Sequence, residues 1–281
     1  MMEDKAAVAA GLRDTDDASR CRFLECLETR DIDPDIFQRI IKLAREDSFV
    51  QVRLTAIRKL APSWPDPDVA RLFKALATDP EIQVADAAVG ALCRTHDDAA
   101  KAILLEAYLK APHFGYKWLV FEGLTTAWSF SEIESIILGY MLADSDEVIR
   151  ASTVSYVGRQ HDANLIADLI QLLHDGDSRV RANALEALGH FKQVVDRNIF
   201  IDMLSDPNHR VQSAAMVIVD ELGGVPLDGR LTAMVQHSSE MMRASAIYVL
   251  RARPAMARRE HFLEELSDDS SSAVQRQLKL V

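Results

Sequence analysis

The chain has 281 residues, 48% of them hydrophobic, with only 11 Gly and 9 Pro and a formal charge of −11. Scarce helix breakers favour helices, and the negative charge excludes a phosphate-backbone partner, because nucleic-acid binders need a cationic footprint. No stretch is apolar enough to span a membrane, Met1 to Ala10 lack the pattern of a secretory signal, and Cys21, Cys26 and Cys93 are too few for a disulfide framework, so a reduced cytoplasm is expected.

A frame of about 32 residues recurs from end to end, the period of a solenoid of stacked supersecondary units. A weak copy starts at Asp14. Clear copies follow at Asp47 (with Val52-Arg53, Ala56-Ile57 and Leu60) and at Asp79 (with Val84, Ala88-Val89 and Leu92). Another weak copy starts at Ala111. The frame returns at Asp144 with Ile149-Arg150, Val154 and Val157, and most plainly at Asp175 with Val180-Arg181, Ala184-Leu185 and Leu188. It continues at Asp206 with Val211, Ala215-Met216 and Val219, and at His237 with Met242-Arg243, Ala246-Ile247 and Leu250. A weak copy at Asp269 ends the series, so starts near 14, 47, 79, 111, 144, 175, 206, 237 and 269 make nine repeats in one domain, 1–281.

Each repeat reads as a helix A before the frame start and a helix B after it. In the sixth repeat, 164–173 is helix A, His174 to Gly176 is a turn, and Arg179 to His190 is helix B. Asp33-Pro34 and Asp66-Pro67 place a capping carboxylate before a first-turn proline at the start of helices A. Asp79-Pro80 and Asp206-Pro207 are expected to do the same for helices B. The recurrent aspartate is therefore a cap before it is anything catalytic.

The Asp-x-x-x-x-Val-Arg-x-x-Ala pattern resembles the HEAT-like repeats of the subtype named after phycobilisome lyases. The resemblance covers nearly the whole chain and implies an all-α solenoid, a right-handed superhelix whose inner surface is lined by helices B. It also implies that the frame arginine packs its stem between neighbours and meets nearby carboxylates. Arg53, Arg150, Arg181 and Arg243 occupy that position; Ala85, Lys117, Gln212 and Gln275 depart from it and should interrupt an ionic ladder.

The fourth repeat is the anomaly, with seven of the eighteen aromatics between Tyr108 and Phe130. Starting its frame at Ala111 puts Val120, Phe121 and Leu124 in the core and keeps Glu122 out of it, where burial would be costly. At about 100° per residue, Trp118 then lies opposite the buried stripe. Its equivalents Ala151, Ala182, Ser213 and Ala244 are small and would form a floor beside it. The most outward B-helix positions read Glu122, Ser155, Glu186, Val217 and Tyr248. The B helix at Val211 to Val219 is apolar nearly all round, which means either full burial or a sticky face. Loop positions Trp64, His96, Trp128 and His161 read as loop plugs and turns, or as an edge stripe. Arg251, Arg253, Arg258 and Arg259 form a basic spot that either complements a helix end or meets an acidic partner segment.

No glycine-rich phosphate loop, zinc-ligand spacing or nucleophile motif appears, and the His-Glu pairs of the diiron HEAT-repeat hydroxylases are missing. No catalytic residue, metal site or cofactor is expected. The reading is a non-catalytic cytoplasmic scaffold or adaptor that takes a protein or peptide in the groove lined by helices B, with self-association open. Trp118, Glu122, Ala151, Ser155, Ala182, Glu186, Val217, Ala244 and Tyr248 are its contact residues. The alternative, carried only by the repeat subtype, is a bilin lyase or chromophore-handling protein acting with a partner subunit.

Overall fold

The computed structural model describes residues 10–14, 16–28, 32–131, 133, 135–256 and 258–281. Seventeen α-helices and three short 3-10 turns form its regular structure, with no strand among the described residues. Its contacts divide the chain into two compact bodies, Met1–Gly139 and Tyr140–Val281.

In the N-terminal body the B helices are α1 (Asp17–Cys26), α3 (Val50–Leu60), α5 (Ile82–Cys93) and α7 (Phe114–Ala127). The A helices are α2 (Pro34–Glu46), α4 (Pro67–Leu76) and α6 (Asp98–Lys110), and the division falls inside α8 (Ser135–Leu142). The C-terminal body has B helices α9 (Glu147–Gly158), α11 (Ser178–Gly189), α13 (His209–Leu222), α15 (Glu240–Ala252) and α17 (Ser272–Leu278). Its A helices are α10 (Ile166–Leu172), α12 (Arg197–Asp202), α14 (Asp228–Val235) and α16 (Arg259–Ser267). Within each body every B helix packs against the next B helix. That is the stacking of an α-solenoid.

The buried stripe follows the frame. Val180, Ala184, Leu185 and Leu188 are all 0% exposed, and the matching residues of neighbouring repeats are buried with them. Val120, Phe121 and Leu124 are buried while Glu122 is exposed, so the frame starting at Ala111 is the observed one. Tyr116 fills the place that valine or isoleucine holds in most other repeats.

Two kinds of aspartate do different work. Asp33 and Asp66 cap α2 and α4 as expected, accepting from Ile36 N and from Asp68 N and Val69 N. The expectation for Asp79 and Asp206 needs correction. Their prolines lie in the turn, and α5 and α13 begin later, after Glu81 and Asn208. The frame aspartate instead closes an Asx turn by accepting the amide two residues on. Asp79 takes Glu81 N at 3.0 Å, Asp175 takes Asp177 N at 2.8 Å and Asp206 takes Asn208 N at 2.7 Å.

The same carboxylate receives the arginine of the preceding repeat. Arg150 meets Asp175 at 2.7 Å, Arg181 meets Asp206 at 2.8 Å and Arg243 meets Asp269 at 2.5 Å, each through two nitrogens. Arg53 also meets Asp79 through two nitrogens, but end-on through Nη1 and Nη2, while its Nε donates to the Ala44 carbonyl. Arg20 and Asp47, at 2.9 Å, add a rung that the weak first copy of the frame concealed. The third nitrogen, Nη1, of each of Arg20, Arg150, Arg181 and Arg243 donates to the carbonyl of its own frame start. Gln212 and Gln275 keep that local bond, to Asp206 O and Asp269 O, without reaching the next repeat.

These rungs are largely buried, with side-chain exposures of 13% and 6% for Arg181 and Asp206. The Arg243 fork holds the Asp269 carboxyl below its usual range. At Asp175 burial is the largest influence and pushes the carboxyl up, but the Arg150 hydrogen bonds, the Asp177 amide and the Arg150 charge together bring the net shift downward. The stability these two contribute is therefore present above the usual carboxylate range and lost as pH falls through their lowered values. Removing one partner of a buried pair strands the other's charge. Arg181→Ala should cost roughly 3–5 kcal/mol in urea unfolding. Arg181→Gln should cost less, since it keeps the local bond seen at Gln212.

Candidate functional site

The nine contact residues read from the sequence fall in both bodies: Trp118 and Glu122 on α7, the rest on α9 to α15. On α7, Trp118 is half-exposed. Its ring lies 5.9 Å from Phe114 and 5.3 Å from Phe121, so two aromatic neighbours hold it at the surface. Glu122, one turn further, is exposed.

The floor of small residues is not as expected. Ala182 is 0% exposed, Ala151 9% and Ser213 2%, so this position faces the neighbouring B helix. The reason is visible at Ala151, whose carbonyl accepts from Asn183 Nδ2 of the next B helix at 2.9 Å. Small side chains here let consecutive helices approach; they do not line a groove. Ala182 in particular offers no contact surface, and only Ala244 is half-exposed. The close approach continues at Gly158, where a Cβ would sit 2.9 Å from the Ala187 Cβ.

The outward positions behave as the helical angle requires. Ser155, Val217 and Tyr248 are half-exposed and Glu186 is exposed. The apolar helix α13 resolves in favour of burial: Val211, Ala214, Ala215, Met216, Ile218 and Val219 are all buried, because α11 and α15 flank it. Val217 alone of that run reaches the surface. Around it runs a polar network across three B helices. Arg210 donates to Asn183 Oδ1 at 2.7 Å and meets Glu186 at 3.4 Å. Arg251 lies over the Tyr248 ring at 6.0 Å. Burial, with Glu186 nearby, pushes the Tyr248 hydroxyl up. Glu186 and Tyr248 are thus brought together, with Arg210 between them.

Between α9 and α11 lies a cleft of about 530 Å³ lined by Ser155, Arg159, His161, Asn183, Glu186 and His190 among others. The His161 and His190 rings lie 3.9 Å apart between centroids, tilted by 36°. Burial first, then His161 and Lys192, push the His190 imidazole below its ordinary 6.5.

The loop residues act as plugs. Trp64 donates to Asp97 Oδ2 at 3.1 Å, which lowers that carboxyl, and the buried Trp128 donates to the Cys93 carbonyl. His96 and His161 hold left-handed turns at φ 51 and 55, and His96 stacks on Trp128 at 5.4 Å. The basic spot is mostly engaged. Arg253 pairs with Asp220 at 2.6 Å and Glu221 at 3.1 Å, while Arg259 donates to the Leu250 carbonyl and meets Glu260. Among the described residues no three His, Cys, Asp or Glu side chains are grouped to hold a metal ion. No described helix is long and apolar enough to cross a membrane.

Sequence reading overlooked one apolar feature. Phe49, Ile82 and Phe114 are 46%, 41% and 39% exposed, at the starts of α3, α5 and α7. The signal was available, since Glu147, Ser178, His209 and Glu240 open the B helices of the other body.

The family model for HEAT repeats matches residues 37–124 and 137–218, more than half the chain. The chain belongs to the HEAT-repeat family. No curated protein matches it. Among solved structures, YibA of E. coli is similar at 17% identity and a TM-score of 0.51, over 95% of this chain and 96% of YibA. Kap121p bound to Pho4p is similar at 15% identity and a TM-score of 0.55, over 98% of this chain but 40% of Kap121p. The CpcE–CpcF complex of phycocyanin lyase from Nostoc sp. PCC7120 aligns at 18% identity with a TM-score of 0.42, over 75% of this chain and 92% of that one. At these identities the likeness concerns the fold alone, and the last is too distant to bear on chemistry.

Two outcomes follow. Trp118→Ala should cost less than the roughly 3–5 kcal/mol of a fully buried aromatic, read by urea unfolding. A depressed His190 binds fewer protons folded than unfolded, so its contribution to stability falls as pH drops through 6.5. Thermal melts of His190→Asn should show a smaller acid-induced loss than the unmodified chain.

Proposed function

We propose that this HEAT-repeat protein is a non-catalytic scaffold that holds a segment of a partner protein against the exposed faces of its B helices. The observation that carries the reading is the pair of half-exposed aromatics on those faces, each fixed by its neighbours: Trp118 by Phe114 and Phe121, Tyr248 by Arg251. An aromatic already ordered in the unbound protein loses little entropy on binding, and such anchors concentrate binding energy. The remaining contacts in this reading are Glu122 in the N-terminal body and Ser155, Glu186, Val217 and Ala244 in the C-terminal body, each exposed or half-exposed. A Kap121p structure of the same fold class is described as bound to Pho4p, which supports a protein partner as fold-level analogy. A cytoplasmic setting belongs to the same reading.

Val217→Asp combined with Tyr248→Ala tests it. Both residues are half-exposed, so the variant should keep its helical circular dichroism and lose most partner capture in a pull-down quantified by mass spectrometry. Undiminished capture by the folded variant would remove the C-terminal body's B-helix face from the proposal.

A further inference from the structure

The exposed row at the starts of α3, α5 and α7 is poorly explained by stability. The B-helix N-caps of the other body include Asp146, Asp177 and Asn208, whose side chains accept first-turn amides. In the N-terminal body the cap of α3 is Phe49 and the cap of α5 is Glu81, and neither makes such a bond, whereas Asp16 caps α1 and His113 caps α7 through their side chains. In the other body Ser239 of α15 also makes none. Giving up a cap weakens a helix, and a large apolar side chain left in water recovers nothing by burial.

The row is also partly continuous. The α5 and α7 helices are neighbours in the stack. A Cβ on Gly115 would lie 3.3 Å from Ile82 Cδ1, so Ile82 reaches across to the first turn of α7. There Phe114 leans on Trp118 and Trp118 on Phe121. Phe49 lies beside α3, the next helix down, with its ring against the Arg20 guanidinium at 5.5 Å.

Charge names the partner. Glu81 precedes Ile82, Asp86 follows Ile82 by one turn, and Glu122 follows Trp118 by one turn. Asp86 and Glu122 are exposed and Glu81 is half-exposed, while the residue before Phe49 is the exposed, neutral Ser48. The cations nearby are occupied: Arg20 by Asp47, Arg53 by Asp79, and Lys117 against the Tyr108 ring at 5.6 Å. The edge is therefore apolar at intervals of one repeat and, from Ile82 to Trp118, acidic in between.

We propose that the edge formed by Phe49, Ile82, Phe114 and Trp118 binds an extended segment of another protein that carries a large apolar residue at every third position and Lys or Arg between. Packed helices lie about 8–10 Å apart, and a segment in the polyproline II form, with three residues per turn, advances about 3.1 Å per residue and returns every third side chain to the same face. Three residues therefore carry it from one B helix to the next. The lysines or arginines between the anchors meet Glu81, Asp86 and Glu122, and the Phe49 end contributes an apolar contact alone. This inference rests on the protein-binding reading above and adds the partner's chemistry for the N-terminal body.

The test uses the full chain and a fluorescein-labelled peptide with leucine at every third position and lysine at the rest, followed by fluorescence polarisation. Two control peptides replace the lysines by glutamate or cluster the leucines together. Expected are saturable binding of the first peptide, weaker binding as salt rises, and little binding of either control. Ile82→Ser combined with Phe114→Ser should weaken binding by about tenfold or more, as loss of apolar anchors does. Val194→Ser, at a residue 75% exposed in the other body, should leave it unchanged. Unchanged urea midpoints would show that the variants remain folded. Equal binding of all three peptides, or full affinity in the Ile82→Ser, Phe114→Ser variant, would overturn the proposal. Concentration-dependent dimerisation abolished by that variant would also overturn it, in favour of a second copy of the chain as the occupant. If the peptide fails while partner capture still depends on Val217 and Tyr248, only this inference falls and the broader reading stands.

Discussion

One buried contact sets the geometry of this protein: the fork between the arginine of one repeat and the frame aspartate of the next. The aspartate has two duties at once. One oxygen closes the turn from helix A to helix B, as Asp206 does with Asn208 N, while both oxygens receive Arg181. Turn shape and inter-repeat distance are therefore fixed by the same carboxylate. A buried ion pair adds little net stability over a well-packed apolar pair. What it supplies here is phase, because a planar guanidinium accepts a carboxylate in one orientation.

Phase decides which side chains meet a neighbour and which meet water. With the B helices locked at one rotation, the residue seven after the frame start turns toward the adjacent helix, and Ala151, Ala182 and Ser213 disappear between helices. The residue eleven after the start turns outward, which leaves Glu186, Val217 and Tyr248 at the surface. Where the arginine is missing, other groups bridge the repeats. Ala85 cannot reach the fourth repeat. In its place Tyr116 donates its hydroxyl to the Asp79 carbonyl and Trp128 donates to the Cys93 carbonyl, both from buried positions. The aromatic wealth of the fourth repeat is thus largely structural. Tyr108, Tyr116, Phe121 and Trp128 are 2%, 5%, 6% and 4% exposed, and those that reach the surface are Phe114, Trp118 and Phe130. A comparable replacement follows Gln212, where His209 Nδ1 and Ser245 Oγ approach to 2.7 Å and Arg253 ties α15 back to Asp220.

The two bodies treat the starts of their B helices differently. One opens them with Glu147, Ser178, His209, Glu240 and Ser272, with Met241 50% exposed beside Glu240; the other opens α1 with Asp17 and has Phe49, Ile82 and Phe114 at the starts of its next three. Stability favours the polar choice, since first-turn amides need acceptors and water solvates the rest. An apolar choice repeated in three successive repeats points to a surface used for contact, because each of these side chains would gain by being covered.

The sequence by itself determined the alternation of helices A and B among the described residues, the register of the buried stripe even in the irregular fourth repeat, and the interrupted series of arginines. All of these depend on local periodicity and on spacing within a single repeat, where about 3.6 residues per turn is enough to place a side chain. Only the tertiary structure decided what lies across a repeat boundary. It turned Asp79 and Asp206 from helix caps into turn closers and ladder partners, and it revealed Arg20 as a rung beneath a frame too weak to read. It buried Ala151 and Ala182, taken for a floor, and covered nearly all of α13. Helical angle tells which way a residue points relative to its own core. It does not tell how closely the next helix approaches, and that distance is set jointly by the ion-pair fork and by the smallest side chains on both sides, such as Gly158 against Ala187.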